Sequence, residues 1–566
     1  MEIFPIEQVE VNGVALPSIF ITELILSPFF YYLSFTQLHI FMKKLTLLFI
    51  LLLSICFIYA QDKADEKANA IIRKHGMDQS KVMQFASKIV DELGPRLTGS
   101  DLLDNAGDFL ILETKKLGFQ NVHKEQWGPF GRGWELKHFE MHAESPNYFP
   151  VIAYPKAWSP SSNGQVTGEV IFINAATQEE VNSYKGKLAG KFVLLDTLRE
   201  VREWFDPSGN RYTSDQLLNM ANSPMPGGNT GRGNFPRNFG QGNRSTLALW
   251  DLIYSEKPLA VLDRSFKGDL GTVFVSGARA KTGSAYAANA EVLPQVTLAV
   301  EHYNRIFRLV QIGKSVKLSF DLKSSYSNPD GMENNFFAEI PGSGELKDEV
   351  VMFGAHFDSW HSGTGATDNG AGSCVMLEVA RILSETYKEL GTQPKRTLRL
   401  ALWTGEEQGL LGSRAYVSQK FVVRDTNNSI KALKPEHGKV SAYYNLDNGT
   451  GKVRGVYLQG NDKLYNTFRT WLDPWKDLGA TTLTMQNTGG TDHLAFDAVG
   501  IPGFQFIQDE ISYSSKTHHS NMDNFDHLIE ADLKQAATVI ASFVYHTAQR
   551  DEKLPRKEQP KVEVEK

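Results

Sequence analysis

The chain has 566 residues, of which 41% are hydrophobic and 22% are charged, and its formal net charge is −6 at pH 7. This composition is typical of a soluble globular protein, and the length exceeds what one compact core usually requires. The mild charge, without a lysine- or arginine-rich block, argues against nucleic acid or an anionic membrane surface as a partner.

The N-terminal part of the chain contains a predicted secretory signal peptide over residues 42–60. A charged start at Met42 precedes an apolar run, and Ala60 supplies a small residue near the expected cleavage site. A membrane anchor is the alternative, but the apolar run is short for a spanning helix of about 20 residues. We therefore expect residues 1–41 to be an over-extended N-terminus. The mature protein is expected to be secreted or periplasmic, with no stable membrane contact after signal removal.

Cysteine usage excludes an intramolecular disulfide in the mature chain. The two cysteines are Cys56, which would leave with the signal peptide, and Cys374. Cys374 falls in an apolar pattern with helical spacing, which favours a small buried side chain over a nucleophile.

The region after the signal changes character near residue 145. Residues 62–130 are predicted to be largely helical, with a break at the segment GPRLTGS over 94–100. From 145 to 325, short β-like runs such as 168–173 are bounded by turn residues, without sustained alternation of strands and helices. We interpret 145–325 as a β-rich inserted domain; a second lobe of the same fold is the alternative.

A stretch rich in glycine, asparagine and arginine lies within this region, over residues 224–245. We interpret it as a surface loop. The alternative is a flap whose arginines reach a substrate carboxylate, since guanidinium groups bind carboxylates in a bidentate geometry. The role of the stretch stays open.

The second half of the chain predicts an α/β sheet flanked by helices. Between about 330 and 548, strand-like apolar runs alternate with amphipathic helical patterns, for example over Ser373–Leu390 and Asp532–His546. Arg550–Lys566 is dense in lysine, glutamate and proline, which predicts disorder.

Five motifs in this half present acidic or imidazole side chains. They are GAHFDS with His356 and Asp358, GATDNGAG with Asp368, TGEEQGLLGS with Glu406 and Glu407, YYNLDNGTG with Asp447, and THHSNMD with His518 and His519. Three of the motifs directly follow strand-like runs. Ligands of open α/β sheets bind outside the carboxyl ends of the strands, so these motifs are expected to meet at one edge of the sheet.

Together the motifs provide the ligands of a dinuclear zinc site. Two histidines, two aspartates and one glutamate supply a bridging carboxylate and two further ligands for each metal ion. A second carboxylate beside the ligand glutamate supplies a general base, and Asp358 is a candidate to accept the other ring proton of His356. Each residue alone has a simpler explanation, such as a solvated helix start at Glu406 and Glu407. The complete set predicts a hydrolase with two Zn²⁺ per chain.

The order of these motifs resembles the co-catalytic dizinc exopeptidase family of the leucyl aminopeptidase and glutamate carboxypeptidase type, with a layout closest to the carboxypeptidase Q branch. The resemblance covers about residues 80–550. It implies an α/β zinc-exopeptidase fold, in which helices flank a mixed central sheet, and an inserted β-rich protease-associated domain. The expected parts are a peptidase domain formed by residues 62–144 and 326–548, the protease-associated insert at 145–325 and a disordered charged tail at 549–566.

The resemblance also implies a role for each site residue. It assigns His356 and Asp447 to one zinc ion and Glu407 and His519 to the other, with Asp368 bridging both ions. Glu406 is the general base, and Asp358 is an orienting residue. His519 is chosen over His518 because the family has an aspartate four residues after the ligand histidine, here Asp523.

A further segment, Gly490–His493, is expected at the rim of the cleft. By the resemblance, Asp492 and His493 help to shape the substrate pocket; a plain structural turn is the alternative.

The expected activity is hydrolysis of dipeptides and short peptides, with recognition of the free carboxylate favoured over an aminopeptidase on the same site. A transferrin-receptor-like binding ectodomain would lack the metal ligands. A glutaminyl cyclase needs only one aspartate, one glutamate and one histidine, so His356 and Asp447 together favour two metals. The direction of cleavage, the side-chain preference and the oligomeric state, with a homodimer as one option, stay open.

Overall fold

A computed structural model describes residues 63–226, 244–328 and 330–557, together with Lys44. The predicted signal peptide and the residues before it, apart from Lys44, lie outside the described residues, and so do residues 227–243 of the glycine- and arginine-rich stretch. Within the described ranges, no helix is both long and apolar enough to cross a membrane.

The described residues form the following strands and helices. The strands are β1 Gln120–Trp127, β2 Gly133–Ser145, β3 Phe149–Pro150, β4 Ala153–Pro155, β5 Val166–Phe172, β6 Lys191–Leu194, β7 Ala260–Arg264, β8 Gln295–Leu298, β9 Lys317–Ser327, β10 Glu333–Ile340, β11 Val350–His356, β12 Thr397–Trp403, β13 Val422–Arg424, β14 Ile430–Leu433, β15 Val440–Asn445, β16 Val453–Tyr457, β17 Thr482–Thr484 and β18 Gly503–Gln508. The α-helices are α1 Glu66–Arg73, α2 Val82–Ala86, α3 Asp101–Lys116, α4 Gln178–Asn182, α5 Ser214–Ala221, α6 Arg244–Glu256, α7 Val300–Gln311, α8 Ala371–Leu390, α9 Leu411–Phe421, α10 Pro435–Lys439, α11 Tyr465–Leu472, α12 His493–Asp497 and α13 Glu530–Gln549.

The first large sheet is mixed and has a parallel centre. Its strand order is β1-β10-β12-β11-β15-β18-β16-β17. Strands β12, β11, β15 and β18 are parallel neighbours, whereas antiparallel pairs lie towards both edges. Because the central strands are parallel, their carboxyl ends open at one edge of the sheet, where ligands of such folds bind.

Helices cover both faces of this sheet, as the alternation of apolar patterns predicts. Helices α8 and α13 pack on each other and against β11, and they bury residues such as Val379 and Val544. On the other face, the rings of Tyr416 in α9 and Phe496 in α12 pack against each other and against Trp403 of β12. Cys374 lies buried in α8 as a free thiol, which confirms its interpretation as a small core residue.

A second eight-stranded sheet is built from residues 133–327. Its order is β3-β2-β9-β5-β6-β7-β8-β4, and β2 pairs with β9 in antiparallel register. Strand β2 precedes the predicted start at 145. Trp134 and Glu135 at its start are both buried, and further along Met141 and Ala143 are buried while His138 and Glu140 are exposed, so β2 carries no continuous apolar run.

Strands and helices alternate in this second region, contrary to the sequence analysis. Strands β5, β6, β7 and β8 are parallel, and helices α4, α5 and α6 lie between them in the chain. Parallel neighbours require crossover connections. Helix α4 provides one between β5 and β6, and helices α5 and α6 provide one between β6 and β7, whereas the described residues between β7 and β8 form no α-helix. Helix α4 is only five residues long, too short to give a recognisable amphipathic period in the sequence.

The end of the chain lies against the first sheet as far as residue 557, although the sequence predicts a disordered tail from 549. Leu554 is buried among core residues. Arg556 donates hydrogen bonds to the carbonyl oxygens of His437 (2.8 Å) and Val440 (2.7 Å). A prediction of disorder from composition counts charged residues over the whole segment. It therefore cannot detect that the single side chains of Leu554 and Arg556 fix this segment to the sheet.

Candidate metal centre

The predicted metal ligands meet at the carboxyl edge of the first sheet. His356 is the last residue of β11, Glu407 follows β12, and Asp447 follows β15. Asp368 lies in a non-helical kink directly before α8, and His519 lies on the loop between β18 and α13. Parallel strands thus deliver three of the side chains, and loops beyond the sheet deliver the other two.

Asp368 lies between the two histidines. Its Oδ1 is 3.4 Å from Nε2 of His356, and its Oδ2 is 3.3 Å from Nε2 of His519. On either side, Asp447 Oδ1 lies 3.6 Å from His356 Nε2, and Glu407 Oε2 lies 3.0 Å from His519 Nε2. This is the arrangement in which one carboxylate could bridge two cations, each held by one more carboxylate and one imidazole.

His518 is the weaker candidate of the adjacent histidine pair. Its Nε2 lies 3.8 Å from Asp368 Oδ2, whereas His519 reaches both Asp368 and Glu407 at shorter distances. The ring of His518 stacks instead between those of Tyr513 and His519. The geometry therefore favours His519, the residue that the sequence spacing indicates.

Unpartnered buried atoms in this cluster fit a divalent cation. Among the described residues, His356 Nε2, Asp368 Oδ2 and Glu407 Oε1 are buried and have no hydrogen-bond partner. Leaving a polar group unpaired in the interior costs about 1–3 kcal/mol, and more when it is charged. Coordination to a cation would remove that cost, and imidazole nitrogens with carboxylate oxygens form a donor set that zinc accepts.

The electrostatics of the cluster also depend on a cation. Burial raises the pKa of Glu406 and Glu407 well above their usual range. Burial acts in the same direction on Asp368, but its contact with His356 and the charges of the nearby histidines hold its pKa below its usual range. A bound divalent cation would favour the ionised form of each carboxylate, which is the form that can bind metal or accept a proton.

The carboxylate of Asp358 contacts the glutamate loop more closely than it contacts the ring of His356. Nδ1 of His356 lies 3.0 Å from the backbone oxygen of Asp358 and 3.6 Å from its carboxylate. The carboxylate accepts hydrogen bonds from the backbone N–H groups of Glu406 (3.3 Å) and Glu407 (3.2 Å) and from the Thr98 hydroxyl (2.8 Å). It therefore fixes the backbone that presents both glutamates, while its carbonyl accepts from the imidazole.

Arg96, in the GPRLTGS segment, is an organising residue that the sequence analysis does not identify. Its guanidinium is completely buried and donates to the carbonyl oxygens of Phe357 (2.7 Å), Thr364 (3.0 Å) and Gly365 (2.9 Å). These bonds tie down the loop between His356 and Asp368. In the sequence, a single arginine in a turn that contains glycine and proline is typical of a surface residue. Only the apolar residues near Arg96 in the sequence could have indicated that it is buried.

Asp523 holds the backbone at Asp368. Its Oδ1 accepts from the N–H of Thr367 (2.7 Å) and its Oδ2 from the N–H of Asp368 (3.1 Å). Burial, assisted by the charge of Asp368, raises the pKa of Asp523 to about 7. In the sequence this residue serves only to choose between the two histidines, and its supporting role becomes visible in three dimensions.

The loop of His519 is supported by the region of the second sheet. The N–H of Val275 donates to the carbonyl of His519 (3.0 Å), and the N–H of Val273 donates to Oδ1 of Asn521 (2.7 Å). His519 itself has a left-handed backbone, with φ of 62°, which is unfavourable for a residue with a side chain. The flanking hydrogen bonds hold that conformation.

Asp492 and His493, which the sequence places at the rim of the cleft, have buried side chains. Both side chains are completely buried, and His493 contacts Gln459 and the carbonyl of Thr488. The charge of Asp492 contributes to the raised pKa of Glu406, behind burial itself, so Asp492 borders the cluster from within. A substrate role for either residue stays a prediction.

Comparison with known proteins agrees with this geometry. Residues 335–544 match the model of peptidase family M28. The chain is 26% identical to carboxypeptidase Q of Mus musculus over 501 residues, which covers 87% of this chain and 91% of that protein.

Solved structures show the same fold. A peptidase M28 precursor from Shewanella amazonensis SB2B has a TM-score of 0.60 at 22% identity, covering 88% of this chain and 98% of its own. BSAP, a zinc aminopeptidase from Bacillus subtilis, has a TM-score of 0.51 at 18% identity, covering 83% and 96%. Residues 335–544, which contain all of the clustered ligands, therefore match the model of peptidase family M28 within a chain that is similar to carboxypeptidase Q over most of its length.

Proposed function

We propose that the protein is a dizinc exopeptidase that hydrolyses dipeptides and short peptides. The observation that supports this most directly is the position of Asp368, with one carboxylate oxygen towards His356 and the other towards His519. A bridging carboxylate between two imidazoles is what a two-metal hydrolase needs, and the family of the surrounding domain is a peptidase family.

In this proposal each residue keeps the role that the sequence predicts. His356 and Asp447 hold one zinc ion, Glu407 and His519 hold the other, and Asp368 is shared. When bound, a zinc pair supplies Lewis-acid activation of water and of the scissile carbonyl. Glu406 accepts a proton from the attacking water and passes it to the leaving amine. Asp358 fixes the backbone of Glu406 through the hydrogen bond described above.

Access to the site favours small substrates. The side chains of His518 and His519 are 32% and 31% exposed, whereas those of His356 and Asp368 are almost fully buried. A substrate would therefore enter from the side of the histidine loop. Drawing a longer chain into such a site would strip water from peptide groups that find no partner there, which is costly.

The remaining parts of the proposal concern the domains and the location. We propose that the region of the second sheet is the protease-associated insert. Its limits are 133, where its first strand along the chain begins, and 327, where its last strand ends. We also propose that the chain is exported with the help of residues 42–60.

A set of end-blocked peptides tests the activity and its direction. We expect rapid hydrolysis of unblocked dipeptides, little loss when the substrate amine is acetylated, and loss of most activity when the carboxylate is amidated. The opposite pattern would make the protein an aminopeptidase on the same site. Cleavage of peptides with both ends blocked would contradict the exopeptidase claim itself. The Glu406→Gln variant, purified in parallel, controls for contaminating peptidases.

A further inference from the structure

A positive charge from the second-sheet region lies beside the exposed side of the metal centre. Lys267 follows β7, and its Nζ donates a hydrogen bond of 2.6 Å to the carbonyl of Ser514, on the loop that carries His518 and His519. The same Nζ lies 4.3 Å from the centre of the Phe274 ring. Phe274 in turn pairs through its backbone with Ser520, the residue after His519.

This ammonium group keeps unused hydrogen-bonding capacity. An ammonium carries three donors, and in the described part of the chain only the bond to Ser514 is formed by Lys267, with no carboxylate in an ion pair with it. The side chain is half-buried. Burial lowers the pKa of Lys267, against the opposing charges of Glu510 and Asp368. A partly desolvated cation of this kind gains more from an incoming anion than a fully hydrated one does.

A second cation from the same region shows the contrast. Arg211 Nη1 lies 2.9 Å from Asp509 Oδ2 and 2.6 Å from Asp532 Oδ2, and both carboxylates are buried. Its charge is already neutralised within the fold, so it serves to join the two regions. Lys267 makes no such pair, although it is closer than Arg211 in the sequence to Val273 and Val275, which support the His519 loop.

We propose that Lys267 binds the free α-carboxylate of the peptide substrate and so selects for the C-terminal end of the chain. The inference rests on the proposed exopeptidase function and names its specificity-determining residue. One extended residue spans about 3.3–3.6 Å, so the carboxylate of a C-terminal residue must lie near the scissile carbonyl. Lys267, which is bound through Ser514 to the loop that carries His518 and His519, would then meet that carboxylate on the side from which the substrate enters.

Aromatic rings also flank the ammonium group of Lys267. Its aromatic support on Phe266 and Phe274 would hold the ammonium in place without neutralising it.

The test compares Lys267→Met, Lys267→Arg and the control Lys516→Met, which removes an exposed lysine from the same histidine loop. The substrates are the unblocked dipeptide that the wild-type enzyme cleaves fastest and the same dipeptide with an amidated carboxylate. We expect Lys267→Met to lower kcat/KM for the unblocked dipeptide by about 10- to 100-fold, mainly through KM, as loss of a charge-assisted hydrogen bond implies. Hydrolysis of the amide should not change.

Binding without turnover gives a second readout. In the Glu406→Gln background, calorimetry should show weaker binding of the unblocked dipeptide after Lys267→Met by a similar factor, and no weakening after Lys516→Met. Lys267→Arg should retain part of the affinity because it keeps the charge. Zinc content and thermal unfolding of all variants should match those of the parent protein.

Several results would overturn the inference. Equal losses on the unblocked and amidated dipeptides would show that Lys267 acts on the metal centre rather than on the carboxylate, and unchanged kinetics on both would remove it from recognition. A wild-type enzyme that prefers the amidated dipeptide would also contradict it. A zinc-loaded wild-type protein that cleaves no dipeptide would instead refute the proposed function, and the inference with it.

Discussion

Replacing Glu406 with glutamine is expected to lower kcat by about 100- to 10,000-fold while zinc stays bound, because glutamine keeps the shape of the side chain but cannot accept the proton. The distances separate Glu406 from its neighbour. Its Oε2 lies 3.9 Å from the nearest ligand imidazole, His356, whereas Glu407 Oε2 lies 3.0 Å from His519. Steady-state kinetics on an unblocked dipeptide, together with zinc analysis of the same samples, provide the measurement.

The neighbouring glutamate is the matched control. Glu407→Gln makes the same glutamate-to-glutamine change one position further along the loop. The backbone N–H groups of Glu406 and Glu407 both donate to the carboxylate of Asp358. We expect this variant to lose zinc, with activity partly restored at high zinc concentration. Equal zinc loss in the two variants would show that the roles are assigned wrongly.

Replacing Arg96 with methionine should lower the free energy of unfolding by about 3 to 5 kcal/mol, because each buried carbonyl left without a donor costs about 1 to 3 kcal/mol. The arginine is completely buried, and without it the carbonyl oxygens of Phe357, Thr364 and Gly365 would lose their hydrogen-bond donor. Unfolding in urea, measured with and without zinc, tests this. Since the freed loop joins His356 to Asp368, zinc affinity should fall as well.

A half-buried arginine near the surface provides the comparison for that effect. Arg73 pairs with Asp477 on the surface, where the two side chains are 36% and 59% exposed. Arg73→Met should therefore cost less than about 1 kcal/mol. If Arg96→Met unfolds at the same urea concentration as Arg73→Met, the buried guanidinium does not support the loop in the way the hydrogen bonds indicate.

The side chains of the centre could be predicted because their positions follow from strand geometry. His356, Glu407 and Asp447 each come at or directly after an apolar strand, and parallel strands end at one edge of a sheet. Asp368 and His519 lie on loops, and only the motif set together with the family resemblance selects them. The supporting residues Arg96 and Asp523 could not be found this way, since long-range contacts decide their roles.

The fold could be predicted where an amphipathic pattern extends over many residues. The prediction failed where an element is short or depends on the contacts of a few residues. Helices α8 and α13 are long and amphipathic, and their predicted ranges agree closely with the structure. Strand β2 carries no continuous apolar run, so the start of the second sheet was missed. The short helix α4 leaves no recognisable period, so the alternation of strands and helices was missed as well. Leu554 and Arg556 hold the end of the chain through individual contacts that composition does not reveal.

The zinc content of the purified chain is the most direct test of a dinuclear centre. After removal of all metal by chelation and titration with zinc, we expect about two zinc ions per chain, because the cluster offers a shared carboxylate and two further ligands for each ion. Activity should return with the metal. Asp368→Asn should reduce the occupancy of both ions, since Asp368 lies between the two histidines. A wild-type protein that binds one zinc ion, or none, would contradict the account.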